Sequence, residues 1–163
     1  MLKWPHFSRT LVLDGQVNLS EADLIYTLTL MNDEEYGGAD ILILGGGDGA
    51  LLSQLLAAEP SPGHVTMVEL DQAVMTAVAM HMPAVAGGVL DSLDGAHHNI
   101  IVGDAVKHLE RCREEGKQFD FVFGDLTDVP IDTDKDGEKN HVNIILDYFH
   151  CRQGCLGLHL TDP

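Results

Sequence analysis

The chain has 163 residues, 45% hydrophobic and 21% charged, which suits one folded domain and excludes a disordered segment. Its 26 Asp and Glu against 9 Lys and Arg leave a net charge of −17, a balance that repels nucleic acid and anionic lipid and attracts cations. No apolar run approaches the ~20 residues of a membrane span, and the opening Met1-Leu-Lys-Trp-Pro5 lacks the apolar stretch of a signal peptide, so a cytoplasmic protein is expected.

Asp14-Gly15 stands between two short apolar runs within Leu11-Val-Leu-Asp-Gly-Gln-Val-Asn-Leu19 and predicts a β-hairpin. A helix should follow at once, with Ser20 as its cap, Asp23 three residues on, and Leu24, Thr27, Leu28 and Met31 on its core face. After Gly37-Gly38 the pattern becomes strands alternating with helices. Strands are predicted at residues 40–44, 64–68, 100–102 and 119–123. Helices are predicted at 48–58, with Leu51, Leu52, Leu55 and Leu56 inward, at 71–81, stopped before Pro83, and at 105–115. A last helix is expected at 142–150, followed by a loosely held stretch at 153–163 without period. Four strands with helical crossovers imply an α/β fold, a parallel sheet with helices on both faces. The organisation read from this is a hairpin segment (1–19), an α/β domain (20–150) and a divergent tail (151–163).

Ligands of open α/β sheets bind outside the carboxyl ends of the strands. Those ends read Gly45-Gly-Gly-Asp48-Gly49, Glu69-Leu-Asp71, Gly103-Asp104 and Gly124-Asp125. One acid at a strand end is usually a helix cap, the plain reading for Asp71 and partly for Asp104. Four in succession make an acidic floor to one crevice. Gly45, Gly47 and Gly49 allow a tight turn and close approach of a ligand to the backbone. Glu69 then stands where nucleoside-binding folds place the acid that holds ribose hydroxyls. A phosphate at this helix start would face Asp48, whereas a cation would be attracted. The ligand expected is therefore a positively charged nucleoside, a sulfonium.

At these residues the sequence resembles the aminopropyltransferases. The match lies in Leu13-Asp-Gly-Gln-Val-Asn-Leu-Ser-Glu-Ala-Asp-Leu-Ile-Tyr26-Thr, Ile41-Leu-Ile-Leu-Gly-Gly-Gly-Asp-Gly49, Val65-Thr-Met-Val-Glu-Leu-Asp-Gln72 and Asp120-Phe-Val-Phe-Gly-Asp-Leu-Thr-Asp-Val-Pro130. The wording is closer to the spermine synthase branch than to the spermidine synthase branch. The resemblance implies a Rossmann-like fold of the S-adenosylmethionine-methyltransferase type and transfer of an aminopropyl group from decarboxylated S-adenosylmethionine to a polyamine. Spermidine would become spermine with release of 5'-methylthioadenosine, and putrescine is the other candidate acceptor. The co-substrate takes the place of a prosthetic group, no metal is needed, and a homodimer is the implied assembly. Carried over residue by residue, Asp48 holds the ammonium of the aminopropyl arm, Glu69 binds the ribose hydroxyls, and Asp104 with Ala105 frames the adenine. Asp125 orients the attacking amine and accepts its proton, and Tyr26 lines the polyamine groove.

Some positions depart from the pattern. Gly124 stands where spermine synthase has Asn, and Ala105 where it has Cys. The family's N-terminal portion and its later strands are expected to be missing, which would leave the 119–123 strand at an open sheet edge and the fold incomplete at the C-terminus. Two rival readings follow: an inactive fragment that binds a nucleoside or polyamine, and an S-adenosylmethionine-dependent methyltransferase, whose cofactor carboxylate Asp48 would oppose. Asp132-Thr-Asp-Lys-Asp136-Gly137 opens like a calcium loop, but Asn143 stands where the bidentate Glu belongs, so a solvated loop is expected. His150, Cys151, Cys155 and His159 lack the tight pairs of a zinc knuckle. His97-His98 is read as a loop before a strand. The cysteines Cys112, Cys151 and Cys155 are odd in number and suit a reducing compartment.

Overall fold

Ile41-Leu-Ile-Leu44 is apolar at every position, the pattern of a strand covered on both faces, and in the computed structural model all four side chains are at most 1% exposed. The structure describes residues 9–13, 15–21, 24–32 and 34–126, and the backbone of 156–158. Around that strand, β3 (Asp40–Gly45), lie β4 (His64–Glu69), β5 (His98–Val102), β6 (Phe121–Asp125) and β7 (Leu156–Leu158), in the spatial order β5-β4-β3-β6-β7. All four pairings are parallel. A separate antiparallel pair, β1 (Thr10–Leu13) and β2 (Gln16–Ser20), precedes the sheet.

Alternation along β3 sends Ile41 and Ile43 to one face and Leu42 and Leu44 to the other. On the first face they join Leu51, Leu52 and Leu55 of α2 (Ala50–Leu56), Met75 of α3 (Gln72–His81) and Leu30 of α1 (Leu24–Met31). On the second they meet Leu109 and Cys112 of α5 (Ala105–Glu115), with Val68 and Val122. The expected α/β sheet with helices on both faces is therefore present. A third cluster, Leu19 with Val78, Met82 and Ala86, seats the hairpin against α3 and α4 (Pro83–Ala86). Arg9 adds a hydrogen bond to the His81 carbonyl at 2.8 Å.

Several expectations need correction. Ser20 ends β2 rather than capping α1, which starts at Leu24. The inward stripe of α1 is also rotated: Thr27 and Leu30 are buried, whereas Leu24 and Leu28 are 45% and 48% exposed. That rotation turns Tyr26 toward the carboxyl end of the sheet, where its hydroxyl has a partner described below. Nor is the 119–123 strand an open edge, because Val122, Phe123 and Gly124 pair with Leu156, Gly157 and Leu158, so the backbone groups of β6 find partners on both sides. His98 belongs to β5 rather than to a loop, and Pro83 opens the short helix α4, which the sequence pattern did not predict. Asp14 of the hairpin turn, the expected helix at 142–150, the calcium-like loop at 132–143 and His150, Cys151, Cys155 and His159 lie outside the described residues.

The contrast between a buried leucine of α2 and an exposed leucine of α1 has a measurable signature. Leu55→Ala, in the fully buried contact between α2 and the sheet, should cost about 2–5 kcal/mol. Leu24→Ala, at an exposed position, should stay within about 0.5 kcal/mol. Urea unfolding of the two variants checks both values.

Candidate functional site

Three backbone turns bring the carboxyl ends of the strands together. After β3 the chain reverses through Gly45 (φ 85°) and Gly46 (φ 77°), a left-handed conformation that favours glycine. The Gly46 amide donates to the Asp125 carbonyl at 3.1 Å, tying the loop to the end of β6. At Gly47 a Cβ would stand 2.8 Å from the Glu69 carboxyl carbon, so glycine there makes room for that carboxylate. Asp48 then turns inward on itself, its Oδ1 accepting the Ala50 amide at 2.8 Å at the start of α2, while Gly49 caps the helix.

Across the sheet, the order of strands places Asp104, Glu69, the Gly45–Gly49 loop and Asp125 in succession. Glu69 Oε1 accepts the Asp71 amide at 2.8 Å, which orients the carboxylate at the end of β4. Asp71 is exposed and caps α3 by accepting from Ala73 at 2.7 Å, as its plain reading expected. Asp104 likewise caps α5, its Oδ1 accepting from Val106 at 2.9 Å and Lys107 at 3.4 Å. Ala105 is the first residue of that helix. Glu69 lies opposite Val102 in the β4–β5 register, so Asp104 and Ala105 stand beside Glu69, one strand removed from the glycine loop.

Asp125 is the centre of the arrangement. The Tyr26 hydroxyl donates to its Oδ1 at 3.3 Å across 99 positions of sequence. Burial pushes the Asp125 carboxyl up to about 7, the Asp48 and Glu69 charges push the same way, and the Tyr26 hydrogen bond pulls it back. Asp48 is raised as well, chiefly by burial, then by the Glu69 charge, while the Ala50 amide lowers it. Tyr26 rises to about 12 through burial and the Asp125 charge and so stays a hydroxyl donor. Among the described residues no Lys or Arg forms an ion pair with Asp48, Glu69 or Asp125. A carboxyl poised near neutrality can take a proton, and an uncompensated acidic group beside it can hold a cation.

The structure thus couples Tyr26, Asp48, Glu69 and Asp125 into one unit and keeps Asp104 and Ala105 at its side. Gly46 was not singled out in the sequence, although its amide closes the loop on β6; the run of three glycines was the available signal. Among the described residues, no group of three or more His, Cys, Asp or Glu is arranged to hold a metal ion, and no helix is long and apolar enough to cross a membrane.

The Spermine/spermidine synthase domain, as a sequence family, matches residues 19–148. The chain is 41% identical over 101 residues to a polyamine aminopropyltransferase of Korarchaeum cryptofilum, covering 62% of the chain and 27% of the relative. With a polyamine aminopropyltransferase of Desulforudis audaxviator it shares 35% identity over 126 residues, 75% of the chain and 43% of the relative. Among solved structures, a spermidine synthase in complex with the transition-state analogue AdoDATO superposes with a TM-score of 0.64 at 22% identity, covering 77% of the chain and 42% of that protein. The spermidine synthase of Thermotoga maritima gives 0.61 at 22%, with 74% and 41% coverage. The chain spans less than half the length of each of these proteins.

The raised Asp125 carboxyl has a consequence for stability. In the unfolded chain this group ionises near its ordinary 3.8, but in the folded protein it keeps its proton to about 7. Between those values the unfolded state binds fewer protons, so this group's contribution falls as pH rises from about 4 to about 7. Asp125→Asn should therefore melt increasingly above the parent across that interval, with the two converging toward pH 4. Paired thermal melts from pH 4 to 8 read the difference, and a constant gap would contradict it.

Proposed function

Because the chain belongs to the spermine/spermidine synthase family, we propose that it transfers the aminopropyl group of decarboxylated S-adenosylmethionine to a polyamine, with spermidine as the acceptor. One observation carries the assignment of roles: Asp125, hydrogen-bonded by Tyr26 and raised to about 7, faces Asp48 and Glu69, and no Lys or Arg among the described residues forms an ion pair with any of the three. An alkyl amine resembles a Lys side chain, with a pKa near ~10.4, and arrives protonated. Asp125 orients the attacking nitrogen and takes its proton, after which the lone pair attacks the aminopropyl carbon bonded to sulfur. The carbon–sulfur bond breaks with its electron pair going to sulfur, and the sulfonium leaves as the neutral thioether 5'-methylthioadenosine.

That leaving group needs neither a general acid nor a metal, so positioning supplies much of the remaining rate. Asp48 holds the ammonium of the aminopropyl arm, Glu69 the ribose hydroxyls, and Asp104 with Ala105 the adenine edge. Gly45, Gly47 and Gly49 let the nucleoside approach the backbone, and Tyr26 sets the orientation of Asp125 while lining the polyamine groove. Support for spermidine as acceptor lies in the wording Val17-Asn-Leu-Ser-Glu-Ala-Asp23 and Asp125-Leu-Thr-Asp-Val-Pro130, which resembles the spermine-forming branch.

Asp125→Asn should lower turnover of spermidine by about 10²-fold or more, the scale of a positioned proton acceptor, while methylthioadenosine still binds. In thermal melts, that nucleoside at a hundred times its dissociation constant should stabilise both proteins by about 2.7 kcal/mol. Unimpaired turnover by the variant would overturn the role of Asp125. A higher kcat/KM for putrescine than for spermidine would overturn the acceptor alone, and a preference for intact S-adenosylmethionine as donor would point to methyl transfer instead.

In the active parent, kcat/KM for the amine should rise as pH increases through about 7 and Asp125 loses its proton. Initial rates from pH 5.5 to 8.5, at saturating donor, test the inflection. A flat profile across that range would separate Asp125 from the proton transfer.

A further inference from the structure

Between residues 10 and 106 the sequence contains no Lys or Arg. That stretch supplies β1 to β5, α1 to α4 and the Gly45–Gly49 loop, and with them Asp48 and Glu69. The next cations, Lys107, Arg111, Arg113 and Lys117, are exposed on α5 or just beyond it. They alternate with Glu110, Glu114 and Glu115, which leaves that surface near neutrality, and Lys117 lies over the Phe119 ring at 4.9 Å. Helix α5 packs on the second face of the sheet, whereas α1, α2 and α3 cover the first. Arg9, ahead of the stretch, is bonded to Glu21 and to the His81 carbonyl. Among the described residues, the negative charge is therefore uncompensated on the first face and at the carboxyl ends of the strands, and balanced behind α5.

We infer that this distributed charge, in addition to the carboxylates that would touch the substrate, captures the acceptor amine and ranks amines by their number of ammonium groups. The inference rests on the function proposed above and goes beyond it by assigning selectivity to residues outside the crevice. A field of this kind raises the local concentration of a polycation and its association rate by about 10- to 10³-fold, and loses its reach as salt rises. Its range is roughly 30 Å at 0.01 M ionic strength and about 10 Å at 0.1 M, so at low salt much of the molecule contributes. The transfer itself changes the charges. A dicationic donor and a tricationic acceptor become a neutral thioether, a tetracationic amine and a released proton. The field therefore holds the amine product more tightly than the acceptor and is indifferent to the nucleoside product.

Calorimetric binding of putrescine, spermidine and methylthioadenosine to the full chain, from about 20 to about 500 mM NaCl, tests this without requiring turnover. The expected dependence on salt is steep for the triamine, shallower for the diamine and absent for the neutral nucleoside. Asp91, exposed beside Leu90, whose side chain packs against Gly49, is the residue to change. Asp91→Lys should weaken spermidine binding several-fold at the lowest salt, match the parent at the highest, and leave methylthioadenosine binding unchanged, which also reports an intact fold. Glu59→Lys, on the exposed loop after α2, replaces it if the first variant misfolds and should show a smaller loss at the lowest salt. Equal salt slopes for the two amines, or a folded variant that binds spermidine like the parent at low salt, would overturn the inference. Turnover with flat slopes sinks the steering and spares the proposed reaction, whereas salt-dependent binding without turnover does the reverse.

Discussion

Like charges held together in a poorly solvated crevice raise one another's energy, and among the described residues Asp48, Glu69 and Asp125 are held this way by backbone amides, with no Lys or Arg paired to them. Asp48 is fixed by the Ala50 amide, Glu69 by the Asp71 amide, and Asp125 ends its strand with its own carbonyl accepting from the Gly46 amide. Each tether is an amide of a loop or helix start, so the chain itself makes the arrangement. The repulsion is relieved by a proton, which is why the Asp125 carboxyl rises to about 7. A cation brought by a ligand relieves the same repulsion. A proton and the proposed cationic ligand would therefore compete to relieve the same repulsion, and that competition would fall near neutral pH.

The rest of the fold serves to keep those tethers in register. Gly45 and Gly46 adopt left-handed conformations because the chain must leave β3 without lifting away from β6, and a side chain at Gly45 would meet the Asp125 carbonyl. Tyr26 reaches the same carboxylate from α1, so the position of that helix bears on how Asp125 is held. The hairpin holds the entry to α1 through Leu19, which is buried with Val78 and Met82. An apolar contact in the hairpin is thereby linked through one helix to the orientation of Asp125.

Much of this was legible in the sequence for physical reasons. The four central strands are short apolar runs, and the acids at their ends stand out because charge is costly at such positions unless it is used. Asp71 shows the limit of that argument, since an acid at a strand end can simply cap the next helix. The α1 stripe was misjudged at Leu24 and Leu28, which are more apolar than Tyr26, whereas packing and the bond to Asp125 rank them the other way; Thr27, on the expected face, is buried. That bond joins positions 99 apart, and no local period reports it. The pairing of Leu156–Leu158 with β6 was missed for a similar reason: three residues carry too little pattern to announce a strand, while a neighbouring strand's free amides and carbonyls supply the missing preference.

The balance between site and scaffold then has a direction. Relieving the carboxylate repulsion by substitution would favour the folded chain, yet it would remove the group proposed to take the proton and the charge proposed to attract the amine. The glycine loop faces the same opposition, because residues that fit helix and strand interiors better than glycine would close the space beside Glu69 and Asp125. Local preference and the needs of the crevice disagree at these positions and agree almost everywhere else in the sheet. Such disagreement is what a functional site leaves in a sequence. Here it is confined to the loop after β3, the acids at the strand ends and one tyrosine, the same residues to which the proposed transfer assigns its roles.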